Sequence, residues 1–141
     1  MPVLELSASE WLTIITHVKK WVTNLLRAKE KRKRESKDAL RAVIKATQET
    51  RLYLRDIREG GAKTIEKDGD LSSLWTELSF KLDDIGLKKV GDKCIAMGRY
   101  WADPALFDDE SLDSAQERLL DIEKIALLCL NEISKPQEKA H

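Results

Sequence analysis

Residues 71–101, LSSLWTELSFKLDDIGLKKVGDKCIAMGRYW, limit most sharply what this chain can fold into. Apolar side chains recur every three or four positions on both sides of Gly86. Leu71, Leu74, Trp75, Leu78, Leu82 and Ile85 precede it, and Leu87, Val90, Cys94, Met97 and Trp101 follow. That spacing belongs to helices, whose side chains repeat every 3.6 residues, and not to strands, which alternate. Two helices meeting at a glycine follow, each with one apolar face to bury. Gly91 and Gly98 share a face of the second. A helical glycine costs about 1 kcal/mol relative to alanine, so such a pair signals the close approach of another backbone. Ala39, Ala42 and Ala46 form the expected mate.

The flanking sequence is also helical. Ser7 and Glu10 have capping-box spacing, with Ser9 as a competing cap. Trp11, Leu12, Ile14, Ile15, Val18, Trp21, Val22, Leu25 and Leu26 then cover about half of a helical wheel. The basic run 27–37, RAKEKRKRESK, carries seven Lys/Arg against two Glu and has neither Gly nor Pro. The heptad phase passes through it unbroken. A continuous helix from about residue 8 to 59 would be on the order of 75 Å long, too long for a compact domain of this size. A break or bend near 28–37 is therefore expected. A second helix runs from Asp38 to Glu59, closed by Gly60-Gly61. Residues 60–70 read as a polar linker, and Asp70 as the N-cap of the third helix. Asp103-Pro104 stops the fourth helix, and 105–111 form a loop with Leu106 and Phe107 tucked under it. Asp109 or Ser111 then caps a last helix that ends at Lys135-Pro136. Its second half is nearly apolar all round, which places it centrally or against a second subunit.

The expected fold is all-α, with a four-helix-bundle-like core and an additional N-terminal amphipathic helix. The core helices span about 38–59, 71–85, 87–101 and 112–134. One helical domain covers 1–141, with 1–37 able to project, 38–134 as core and 135–141 as a frayed tail. No internal repeat is visible. Aromatic residues are only 6% and charged residues 35%, a profile that disfavours strands.

Charge is balanced overall but divided along the chain. Residues 1–59 hold 14 Lys/Arg and 8 Asp/Glu, and residues 60–141 hold 11 and 17. Two attracting halves of one bundle account for this, as does an acidic partner for the basic half. The opening MPVLELSASE lacks the charged and apolar regions of a secretory leader, and no apolar run reaches the ~18 residues of a membrane span. Cys94 and Cys129 lack metal or redox spacing. A cytoplasmic protein without a cofactor is the expectation.

Reactive constellations are sparse. His17 edges the first apolar arc and His141 is terminal. The single Glu-x-x-His spacing, Glu138 to His141, falls in the 135–141 tail, whereas bundle di-iron sites require such a pair on each of two helices. No phosphate loop, dinucleotide fingerprint or nucleophile elbow occurs. Asp108-Asp109-Glu110 has cation-binding oxygens but suits a helix N-terminus equally well. The YWADP segment, 100–104, suggests no chemistry. The expectation is therefore a non-enzymatic interaction or regulatory module, self-associating through the N-terminal helix, the C-terminal helix or both. Trp11, Ile15, Val18, Trp21, Val22 and Leu25 are the candidate partner-binding residues. The alternative is an accessory protein touching nucleic acid through Arg27, Lys29, Lys31, Arg32, Lys33, Arg34 and Lys37, although no aromatic for base stacking lies among them. Membrane binding by the first helix would need a more cationic polar face than its Thr and Asn supply.

Overall fold

The computed structural model describes residues 7–103 and 112–134. They form five helices: α1 (Ala8–Leu26), α2 (Glu30–Arg58), α3 (Ile65–Asp84), α4 (Lys88–Ala102) and α5 (Leu112–Ser134). The helices pack on one another as an all-α bundle with no strand among the described residues. One continuous apolar core draws residues from all five. The expected loop with Leu106 and Phe107, the caps Asp109 or Ser111, the Asp108–Glu110 triplet, Pro104, Pro136 and the tail 135–141 lie outside the described residues.

The Ser7 capping box forms. The Ser7 hydroxyl accepts from the Glu10 N–H at 3.2 Å, and the Glu10 carboxylate accepts from the Ser7 N–H at 3.4 Å. The break after α1 takes only residues 27–29, where Arg27 closes α1 and Lys29, with extended backbone, opens α2. So α2 starts at Glu30 and not at Asp38, and most of the basic run belongs to it. Good helix formers need no special start signal when their inner face is already covered, as Ser36, Ala39 and Leu40 are here. Twenty-nine residues make α2 about 43 Å long.

The α3–α4 pair is the most extensive helix contact. Its turn is a Schellman motif. Gly86 takes φ +90°, its N–H reaches the Asp83 carbonyl, and the Leu87 N–H reaches the Leu82 carbonyl at 2.8 Å. Leu82 and Leu87, the two positions that motif brings together, are both fully buried. The glycines of α4 then lie on α3. A methyl group on Gly98 would come within 2.7 Å of Thr76 Oγ1 and 3.1 Å of the Ser72 carbonyl oxygen. One on Gly91 would meet Asp83 Oδ1 at 2.6 Å and the Ser79 carbonyl oxygen at 3.0 Å. The close-approach reading holds, but the mate is the Ser72/Thr76/Ser79 face of α3 and not the alanines of α2. Short hydroxyl side chains let a backbone in as alanine does, and this partner lies next along the chain.

The stretch 60–70 is mostly helix and not linker. Thr64 is the N-cap of α3, its hydroxyl accepting from the Lys67 N–H, and Asp70 lies inside the helix. A buried polar cluster holds this early start. Tyr53 of α2 donates to Asp68 Oδ1 at 2.8 Å and accepts from the Thr64 N–H at 3.0 Å. Lys63 pairs with Asp68 and stands over the Trp101 ring at 5.6 Å, while Trp101 packs on Tyr53 at 5.5 Å. Deeper in, Trp75 Nε1 donates to Thr50 Oγ1 at 3.0 Å, and that hydroxyl donates to the Ala46 carbonyl at 2.7 Å. A second indole ties α1 down: Trp21 Nε1 donates to the Ile85 carbonyl at 2.7 Å, and Arg32 of α2 donates to the same oxygen at 3.2 Å.

Thermal melts of three variants check this packing. Gly98→Ala should destabilise the fold by about 1–3 kcal/mol through overpacking. Gly69→Ala, where an added methyl meets nothing within 4 Å, should stabilise it by about 0.5–1 kcal/mol. An unchanged melt for Gly98→Ala would remove the close-approach account. Tyr53→Phe should cost about 1–2 kcal/mol by leaving the Thr64 N–H and Asp68 short of a partner.

Candidate functional site

The apolar arc of α1 is largely spent on the chain itself. Val18, Trp21, Val22 and Leu25 are buried in the core, Trp11 packs against it half-buried, and Ile15 is half-buried. Leu12, not among the candidate residues, is the large α1 side chain left in solvent. The helix lies against the bundle: its indole hydrogen bond ends on the α3–α4 turn at Ile85, and the helix packs on α2, α4 and α5.

The basic residues do not converge. Arg27 and Lys29 sit at the α1–α2 junction, and Lys31, Arg32, Lys33, Arg34 and Lys37 occupy the first two turns of α2. Successive residues of a helix point about 100° apart, so these charges fan around the axis. Lys33 pairs with Glu30 at 3.4 Å, and Arg32 turns inward to the Ile85 carbonyl. Arg27, Lys29, Lys31 and Arg34 remain exposed.

Another face gathers apolar and charged groups that were not singled out from sequence. Arg51 of α2 pairs with Glu123 of α5 at 2.8 Å, and Arg58 hydrogen-bonds Gln116. Residue 51 therefore opposes 123 and 58 opposes 116, so the two helices run antiparallel. Between them lies a groove of about 510 Å³ walled by Gln48, Arg51, Leu52, Arg55, Arg58 and Gln116. Leu52 is 64% exposed, Leu127 49% and Leu120 37%, high values for leucines on two helices of the core. Leu120 and Leu127 lie within about 60° of Gln116 and Glu123 on the wheel, so they share the flank of α5 that carries those two residues. The sequence signal was present: Arg51, Arg55 and Arg58 at helical spacing, and two leucines one heptad apart. It was hidden because α5 is apolar on so many sides that its outward leucines cannot be told from inward ones.

The reactive side chains are quiet. Cys94 and Cys129 are buried free thiols. Burial pushes the Cys94 thiol far up, and that of Cys129 up to about 12, so neither supplies a thiolate near neutrality. Among the described residues no group of three or more His, Cys, Asp or Glu is placed to hold a metal ion. No described helix is long and apolar enough to cross a membrane. Set beside known proteins, the chain matches no protein-family model, no curated protein and no solved structure.

His17 is the titratable group with a distinctive setting. Its Nε2 is shut off from solvent with no hydrogen-bond partner. Partial burial, then the charges of Lys89 and Lys20, hold its pKa below the ordinary 6.5. The unfolded chain takes up this proton near pH 6.5 and the folded chain only at lower pH, so between those values the unfolded state binds more protons. Stability should therefore fall as the pH is lowered from about 6.5 through the folded-state pKa. Urea melts between neutral and mildly acidic pH should show this loss shrinking in His17→Gln, whereas parallel profiles would assign it to other groups.

Proposed function

We propose that this protein is a non-enzymatic helical interaction module that self-associates through the outer face of α5. The observation that carries the reading is the pair of solvent-facing leucines, Leu120 and Leu127, one heptad apart and flanked across the α2–α5 groove by Leu52. An antiparallel two-fold pairing of α5 sets Leu120 of one copy against Leu127 of the other, so a single patch serves both sides, as an isologous dimer requires. Lys124 of each copy then lies opposite Glu123 of the other. A helix-on-helix contact of this length falls short of the roughly 1,200 Å² of a standard interface, so association is weak and concentration-dependent.

Compared with the expected routes, the C-terminal helix is favoured over the N-terminal one, since the α1 arc already faces its own core. The non-enzymatic reading draws support from the two inert thiols and from an isolated His17 whose charged neighbours are lysines. Two free buried cysteines also suit a reducing, cytoplasmic setting.

Sedimentation velocity from micromolar to near-millimolar protein tests the proposal. The native chain should shift toward dimer with concentration, and Leu127→Glu should remain monomeric with an unchanged melt. Phe80→Glu, which alters an exposed apolar residue on α3, should behave like the native chain. A native chain that is monomeric at every concentration, or association indifferent to Leu127→Glu, overturns it.

A further inference from the structure

A second concavity, of about 440 Å³, opens where α1, the start of α2 and the α3–α4 turn meet. Its polar wall is built of donors. His17, Lys20 and Asn24 come from successive turns of α1, and Arg32 comes from the first turn of α2. Trp21 and Leu25 give it an apolar floor. Lys89, in the first turn of α4, is close enough to act on His17 as well. Lys20, Arg32 and Lys89 take part in no ion pair among the described residues. Positive charge thus gathers in this cavity from α1 and α2 with no carboxylate among its lining residues, and Lys89 of α4 lies nearby in a neighbouring concavity that also holds Glu10 and Asp92. This contrasts with the α2–α5 groove, whose Arg51 and Arg55 are paired with Glu123 and Glu59.

We propose that this cavity is a binding site for a small phosphate-bearing molecule, held by Lys20, Arg32 and Asn24 beside His17. Two cationic side chains lining the cavity without a counter-charge, Lys20 and Arg32, match a dianion better than a single carboxylate. A guanidinium has five N–H donors, and Arg32 spends one nitrogen on the Ile85 carbonyl, leaving others for phosphate oxygens. The volume lies within the roughly 300–1,000 Å³ of ordinary small-ligand sites, and the indole wall gives the non-phosphate part of the ligand an apolar surface. The floor is held in place before any ligand arrives, because Trp21 Nε1 and Arg32 both anchor on one carbonyl of the turn. The site is separate from the α5 face, so it stands or falls independently of self-association.

The test is an NMR titration of the native chain with inorganic phosphate and with phenyl phosphate, at constant ionic strength, against sodium chloride. Saturable shifts are expected at the His17 ring and the Trp21 indole N–H. The His17 titration midpoint should rise on binding, because the bound anion offsets Lys20 and Lys89. Lys20→Gln, a change at an exposed side chain, should weaken binding about tenfold, which corresponds to about 1.4 kcal/mol. Lys45→Gln, at an exposed position further along α2, should leave binding unchanged. Shifts no larger than those with chloride overturn the proposal, as does binding equally strong in Lys20→Gln. A response to duplex DNA with none to either phosphate compound also overturns it, since the ligand would then be a nucleic-acid backbone.

Discussion

The fold rests on how close α3 and α4 come. At Gly91 and Gly98 no room for a methyl group is left between the helices, and the Ser79 and Ser72 carbonyls of α3 lie against the bare α carbons of α4. That contact depends on a three-residue reversal, Ile85 to Leu87, in which the positive φ of Gly86 ends α3 and aims α4 back along it. The two apolar faces then merge into one surface carrying Leu71, Trp75, Leu78, Val90, Cys94, Met97 and Trp101, all buried. The other three helices are laid on that surface. Their attachment is apolar over most of its area, with polar pegs where an indole or phenol would otherwise lose its partner.

Those pegs account for what the residue pattern does and does not disclose. The helical period around Gly86 was legible because it is local: spacing, glycine and turn lie within one stretch. The Ser7 box was legible for the same reason, whereas the α1–α2 break carries no local signal and follows only from the length a continuous helix would have. The start of α3 was not legible. Residues 60–70 look like linker, since their helix is held by Tyr53, 11 positions from Thr64, and by Trp101, which is far along the chain from Lys63. Nothing near Asp68 in the chain says that its carboxylate will be buried under a phenol. The mate of the α4 glycines was misjudged on similar grounds. Alanines are the familiar small residues, yet serine and threonine admit a backbone almost as closely when their hydroxyls turn aside.

Function was less legible than fold, for a physical reason. The broad apolar arc of α1 reads in sequence as surplus surface, but four of its six candidate residues are absorbed by a core assembled from distant segments. The α2–α5 groove shows the reverse. Leu120 and Leu127 resemble every other leucine of α5 until Arg51 and Arg58 fix which flank of the helix faces α2. Periodicity says that a helix has apolar sides. Only the neighbours decide which side remains in water.

The Ile85 carbonyl has a consequence of its own. It accepts from an indole on α1 and a guanidinium on α2 at the tip of the α3–α4 hairpin, so one oxygen is shared by elements that begin far apart along the polypeptide. Lifting α1 away would break the Trp21 N–H bond to the turn, expose the indole to water, and loosen the tip that orients α4. Fraying of the first helix and opening of the hairpin are thus a single cooperative event, and the amino-terminal segment acts as the latch of the whole bundle.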